Sequence, residues 1–228
     1  MSRGLFITGT GTDVGKTYVT GLIVKKLHES GARVGYYKAA MSGNVRDAAG
    51  NLVPGDAQFV KTCSGIPQPL SEMCPYVYER AVSPHLASRL EGNPVRLDVV
   101  RAGYEAVCRR WDLVAVEGSG GILCPLHFDG GEELWLEDVV RALGLGCLIV
   151  ADAGLGTINS VVLTTEYLRA KNIPVRGVIF NRFHPGDVME EDNARMCAHR
   201  ASIPVLGFVG DGARDLAIDA RQLQSLFA

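Results

Sequence analysis

The amino-acid sequence predicts an α/β protein, with a doubly wound, mostly parallel sheet and helices on both faces. Three observations predict it. Short β-rich runs alternate with helical patterns along the chain. Most of those runs are continuously apolar, as strands covered on both faces must be. The first run, Leu5-Phe6-Ile7, passes directly into a glycine-rich turn that opens a helical pattern.

Taken in order, residues 5–8 read as a strand and 16–30 as a helix closed by Gly31. A second strand, 34–37, runs into Lys38. The stretch 39–94, rich in Gly, Pro and Ser, is the least regular, with a helix start marked at Asp56. Helical spacing returns over 97–110, followed by a strand over 113–116, a helix over 136–143 and a strand over 147–151. A glycine-rich turn from Asp152 leads to a helix over 159–170, which Pro174 follows. Strand 175–180, helix 187–200, strand 205–209 and a short helical pattern over 215–227 complete the chain. In such sheets the ligand crevice lies outside the carboxyl ends of the strands. Lys38, Glu117, Asp152 and Asn181 all fall at those ends.

With 228 residues and 47% hydrophobic content, the chain can bury one sizeable core, so a single domain over 1–228 is expected. The net charge of −2 comes from interspersed acids and bases. No basic face is therefore expected to meet nucleic acid or an anionic membrane, and the partner should be small. Cys63, Cys74, Cys108, Cys124, Cys147 and Cys197 form no Cys-x-x-Cys pair, which points to reduced thiols and the cytoplasm and away from structural zinc. The histidines show no metal-ligand spacing. The N-terminus passes through Arg3 straight into a strand and no apolar run approaches spanning length, so neither a cleavable signal nor a membrane segment is expected.

The turn Gly9-Thr10-Gly11-Thr12-Asp13-Val14-Gly15-Lys16-Thr17 reads as a phosphate-binding P-loop. Such a loop aims backbone N–H groups and a helix N-terminus at phosphate oxygens, and places one Lys and one hydroxyl where β/γ-phosphates and Mg²⁺ lie. The spacing here is Gly, five residues, then Gly-Lys-Thr, with Thr10 where the usual pattern has Gly. Mg²⁺ takes oxygen ligands and keeps several waters, so one or two carboxylates should approach from neighbouring strand ends. Glu117, followed by Gly118-Ser119-Gly120-Gly121, is one candidate, or else a solvated loop acid. Asp56 is another, or else an N-cap. Lys38 is either a second cation beside the phosphates or a surface lysine at a strand end. The Asn181 amide suits a purine edge or an ordinary turn. The turn from Asp152 to Asn159 either holds a carboxylate on its N–H groups or is a flexible connection.

In that order and spacing the P-loop, Tyr37-Lys38 with Ser42-Gly43, Asp56-Ala57, Ser83-Pro84-His85, Val116-Glu117-Gly118-Ser119-Gly120-Gly121 and Gly156-Thr157-Ile158-Asn159 resemble the dethiobiotin synthetases. The resemblance implies a P-loop NTPase fold and an ATP- and Mg²⁺-dependent ring closure, joining CO₂ to the vicinal diamine of 7,8-diaminononanoate through a carbamate and a mixed anhydride. It implies catalytic roles for Lys16 and Lys38. ATP contacts would come from Asp13, Val14, Gly15, Lys16, Thr17, Tyr18, Asp56, Glu117, Gly118, Ser119, Gly120, Asn181 and Arg182. Thr17, Asp56 and Glu117 would face Mg²⁺, and Ser42 and Gly121 the diamine. Thr157, Ile158 and Asn159 would take the substrate's far carboxylate from the other subunit of a homodimer. Three departures stand out: Lys38-Ala39 and Asn181-Arg182 where the family often reads Lys-Pro and Asn-Asp, and no Pro in Gly207-Phe208-Val209-Gly210-Asp211-Gly212.

Two rival classes share the loop. Cobyrinate-type synthetases usually carry a long partner domain. Partition or cell-division ATPases carry a second Lys early in the P-loop, and Gly11, Thr12 and Asp13 supply none. The segment 215–227 is no basic membrane anchor. Exchanging Lys16 or Lys38 for Ala is expected to remove most turnover while leaving the fold largely intact.

Overall fold

The computed structural model describes residues 3–227; Met1, Ser2 and Ala228, which the expected domain includes, lie outside the described residues. Strand β1 (Arg3–Gly9) leads through the glycine-rich loop to helix α1 (Lys16–Glu29), and β2 (Val34–Lys38) follows. The irregular stretch then holds three two-residue strands, β3 (Ala40–Met41), β4 (Val45–Arg46) and β5 (Leu52–Val53), and helix α2 (Gly55–Ser64). After a 3₁₀ turn (Leu70–Glu72) it continues through β6 (Tyr76–Val77) to α3 (Pro84–Leu90). Helix α4 (Leu97–Cys108) precedes β7 (Leu113–Gly121), the hairpin β8 (Pro125–Asp129) and β9 (Glu132–Trp135), and α5 (Leu136–Ala142). The chain ends in β10 (Cys147–Asp152), α6 (Thr157–Ala170), β11 (Val175–Asn181), α7 (Val188–Ala201), β12 (Val205–Val209) and α8 (Ala220–Leu226).

The main sheet has six strands in the order β12-β11-β10-β1-β7-β2, every neighbouring pair parallel. Successive side chains of a strand point to opposite faces. Accordingly Phe6, Val114, Val116, Ile149 and Phe180 join one buried cluster, which α4, α5, α6 and α7 cover. Leu5, Ile7, Ala115, Leu148 and Ile179 join the other, under α1, α2 and α8. Both faces are thus covered, as the continuously apolar strands predict. Among the described residues, no helix is long and apolar enough to cross a membrane.

Several boundaries differ from the sequence expectation for identifiable reasons. β7 runs on through Glu117 to Gly121, because pairing continues past the apolar run: Lys38 stands opposite Glu117, and Gly9 opposite Gly121. The helix expected from Asn159 begins at Thr157, after Gly156 turns left-handed at φ 90. Asp187 caps α7 instead of starting it, accepting from the N–H groups of Met189 and Glu190. Helix α8 is shorter than the 215–227 pattern, with Asp219 as its cap. The hairpin β8–β9 adds to the expected elements, and Gly130-Gly131 at its turn, both at positive φ, is the strong two-residue signal that marks it.

Candidate nucleotide site

Strand β1 delivers Gly9 to the middle of the sheet's carboxyl edge, between β10 and β7. There the loop folds tightly on itself: a Cβ at Gly9 would stand 2.8 Å from Val14 Cγ2. The Thr10 N–H donates to Val150 O at 3.1 Å, which anchors the loop to β10. Asp13 and Gly15 are left-handed, at φ 59 and φ 88, and Gly15 hands the chain to α1. Lys16, buried, folds back so that Nζ donates to Gly11 O at 2.8 Å. Burial and then the ammonium of Lys38 hold Lys16 below the usual lysine pKa, against the pull of Glu117, Asp56 and Asp13.

Beside the loop lies a charged cluster. Glu117 Oε1 accepts from Thr17 Oγ1 and from Lys38 Nζ, each at 2.7 Å, while Oε2 accepts from the Tyr36 hydroxyl at 3.0 Å. Lys38 Nζ also donates to Asp56 Oδ2 at 2.6 Å. Burial opposes the Lys38 charge, but Glu117 and Asp56 outweigh it and hold the ammonium well above its ordinary pKa. For Asp56, burial is likewise outweighed by the Lys38 ammonium, helped by Thr17, and the carboxyl lies below its usual range. Glu117 is 1% exposed and Lys38 4%, so neither is the solvated loop acid or surface lysine that the sequence left open. Asp56 is not an N-cap either: Pro54 occupies that position, and the Gly55 N–H is taken by Asn44 Oδ1 at 2.9 Å.

These groups surround a cavity of about 570 Å³, within the range of small-molecule sites. Of the residues singled out in the sequence, Asp13, Gly15, Lys16, Thr17, Lys38, Ser42, Asp56, Glu117, Ser119, Gly120 and Arg182 line it. Thr12 and Met41 line it as well and were not singled out; Thr12 lay inside the motif, whereas buried Met41 carried no signal. Val14 gives its carbonyl to Asn181 Nδ2 at 3.1 Å, so one amide hydrogen of Asn181 is committed to the loop. The Tyr18 hydroxyl donates to Ala213 O, tying α1 to the segment after β12. Gly118 is packed against the core, since a Cβ there would meet Phe6 and Leu136 at 3.0 Å, and Gly121 adjoins Gly9 and Gly11. Thr157, Ile158 and Asn159 are not brought to this cavity. Ile158 and Asn159 line a separate hollow with Leu155, Val162 and Leu163, and Thr157 Oγ1 is buried with no partner among the described residues.

A parallel sheet covered on both faces, with a Gly-Lys-Thr loop at its central strand and acids on neighbouring strand ends, defines a P-loop nucleotide-binding protein. A family model described as an AAA domain matches residues 3–211. A protein of Brachyspira hyodysenteriae named ATP-dependent dethiobiotin synthetase BioD is 44% identical over 227 residues, covering 100% of both chains. A protein of the same name from Clostridium botulinum (Loch Maree, type A3) is 42% identical over 205 residues, 90% of this chain and 89% of its own. The chain belongs to this AAA-domain family and, within it, to the ATP-dependent dethiobiotin synthetases. Two solved structures share the fold alone. One is chloroplast FtsY of Physcomitrella patens, with TM-score 0.52, 22% identity and coverage of 100% of this chain and 66% of that one. The other is a MinC:MinD cell division complex of Aquifex aeolicus, with TM-score 0.56, 15% identity and coverage of 93% and 83%.

Proposed function

We propose that the chain is a cytoplasmic ligase of biotin biosynthesis, closing the ring of dethiobiotin from CO₂ and 7,8-diaminononanoate at the expense of ATP. The observation that carries this reading is the convergence of Lys16 and Lys38 on one cavity with Thr17, Asp56 and Glu117. End-to-end identity with relatives of that name supports it.

In this reading one amine of the substrate adds to CO₂ and loses a proton, giving a carbamate. A carbamate oxygen attacks the γ-phosphorus and ADP leaves. The second amine then attacks the carbonyl carbon, inorganic phosphate leaves, and the nitrogen gives up a proton as the cyclic urea closes. A carbamate is a poor electrophile until an oxygen carries phosphate, so the chain's task is to position and neutralise the transferring group. Lys16 supplies charge from the loop side. Lys38, held protonated by its two carboxylates, acts as a fixed cation at the carbamate and not as a base. Ser42 and Gly121 stand on the diamine side.

One hydroxyl and two carboxylates form a hard oxygen set that suits Mg²⁺, which takes few protein ligands beside phosphates. Thr17, Asp56 and Glu117 would hold it, and it would neutralise charge on the β- and γ-phosphates. Thr157, Ile158 and Asn159 lie outside the cavity, so their assignment to the substrate carboxylate requires a second copy of the chain. The exposed Leu155 and Leu163 beside them suit burial in a homodimer.

The test is an assay with purified protein, Mg²⁺, bicarbonate and ATP, following phosphate release and product mass with and without the diamine. Diamine-dependent phosphate and a product of dethiobiotin mass are expected. Hydrolysis indifferent to the diamine, or stimulated by DNA or lipid, would replace the reading with a switch ATPase.

A further inference from the structure

Arg182 stands just past β11 in a left-handed conformation, φ 55, at one of the positions where the sequence departs from the family it resembles. Its Nη2 donates to Asp13 O at 2.7 Å and its Nη1 to Asp152 Oδ2 at 2.7 Å. The preceding residue, Asn181, donates from Nδ2 to Val14 O. Two consecutive side chains therefore hold two consecutive carbonyls of the phosphate loop. In a trans peptide the C=O and N–H point in opposite directions. Drawing the Asp13 and Val14 carbonyls towards β11 therefore turns the N–H groups of Val14 and Gly15 away from it.

The acid that aims Arg182 is itself fixed. Asp152 Oδ1 accepts from the Gly154 N–H at 2.9 Å. The buried Asn193 of α7 braces that turn, donating to Ala153 O at 3.0 Å and Gly154 O at 3.1 Å. A series of hydrogen bonds thus runs from α7 through Asp152 and Arg182 to the loop. The ion pair is half exposed, so it adds little to global stability and its effect is local.

We propose that Arg182 is a positioning residue for the phosphate loop, held in place by Asp152, and that the pair sets the direction of the N–H groups before nucleotide arrives. The proposal rests on the reading of this cavity as an ATP site.

The experiment measures Kd for Mg·ATP and for inorganic tripolyphosphate, by calorimetry at fixed salt, in Arg182→Ala, Arg182→Lys and Asp152→Asn. Arg182→Ala should weaken both ligands alike, by about tenfold, the size of one charge-assisted hydrogen bond. Lysine has no planar fork to serve both oxygens, so Arg182→Lys should recover only part. Asp152→Asn should also weaken both, because it releases the arginine that it aims. In ligand-free Arg182→Ala, amide exchange over 10–15 should quicken while the melting temperature holds.

Unchanged affinities in Arg182→Ala would overturn the proposal. So would a loss for ATP without one for tripolyphosphate, which would make Arg182 a base or ribose contact. Tighter binding in Asp152→Asn would overturn it too, since a freed arginine would then be meeting phosphate directly. No diamine is present, so a chain that binds ATP but makes no dethiobiotin would fail the functional reading and leave this one standing.

Discussion

Lys38 and Glu117 are register partners on neighbouring parallel strands, with Nζ 2.7 Å from the carboxylate Oε1. Both are buried, and both line the cavity. Lys38→Met would leave Glu117 charged, buried and without its counter-ion, a loss that typically costs about 3–5 kcal/mol. Urea unfolding should show that loss, and Lys38→Met combined with Glu117→Gln should recover at least half of it. A loss within about 1 kcal/mol would instead mark a solvated pair.

Lys16 should behave differently. It is buried beside a like charge and its one hydrogen-bond partner among the described residues is a backbone carbonyl, so it contributes charge to the site more than support to the fold. Lys16→Ala should lower turnover by about 10²- to 10³-fold, as loss of a transition-state charge contact does. The melting temperature should move little. Turnover within a few fold of the parent would remove Lys16 from the chemistry.

Acid should act through Asp56. Its folded pKa lies below the usual carboxylate value, because the Lys38 ammonium outweighs burial. The stability it adds is therefore fully present above about pH 4, where the unfolded carboxyl is already ionised, and is lost as pH falls through the lower folded value. The parent should be more stable than Asp56→Asn at pH 6, and the difference should shrink towards pH 3. A difference that does not change with pH would show that Asp56 gains nothing from Lys38.

Gly15 is constrained twice. It sits at φ 88, and a Cβ there would stand 2.0 Å from Asn181 Nδ2. Gly15→Ala should abolish nucleotide binding and cost about 1–3 kcal/mol of stability from the strained backbone and the clash. Gly11→Ala is the control, since a Cβ at Gly11 meets nothing within 4 Å. Equal stability losses in the two variants would contradict this account.

The sheet was legible because its buried strands are written as uninterrupted apolar runs such as Leu113 to Val116. The two-residue strands were not, because segments that short carry no period. In the site, the P-loop announced itself locally through its glycines. Glu117 was placed after its strand, because an acid ends an apolar run; only the lysine opposite it explains why pairing continues. The bond from Asn181 to Val14 O and the clasp of Arg182 had no local signature. Each depends on a carbonyl of the phosphate loop that only the folded sheet brings near.

Thr17 reaches Glu117 across 100 residues, and Asn181 reaches Val14 across 167. The loop that opens the chain lies between strands made much later, since β1 pairs with β7 and β10. Contacts so remote in sequence close slowly, because each must overcome the entropy of a long intervening loop. During synthesis the first half of the chain carries the lysine of the loop without the glutamate and asparagine that complete its surroundings. The surroundings of the loop are therefore complete only once β11 has been made, well after the loop itself.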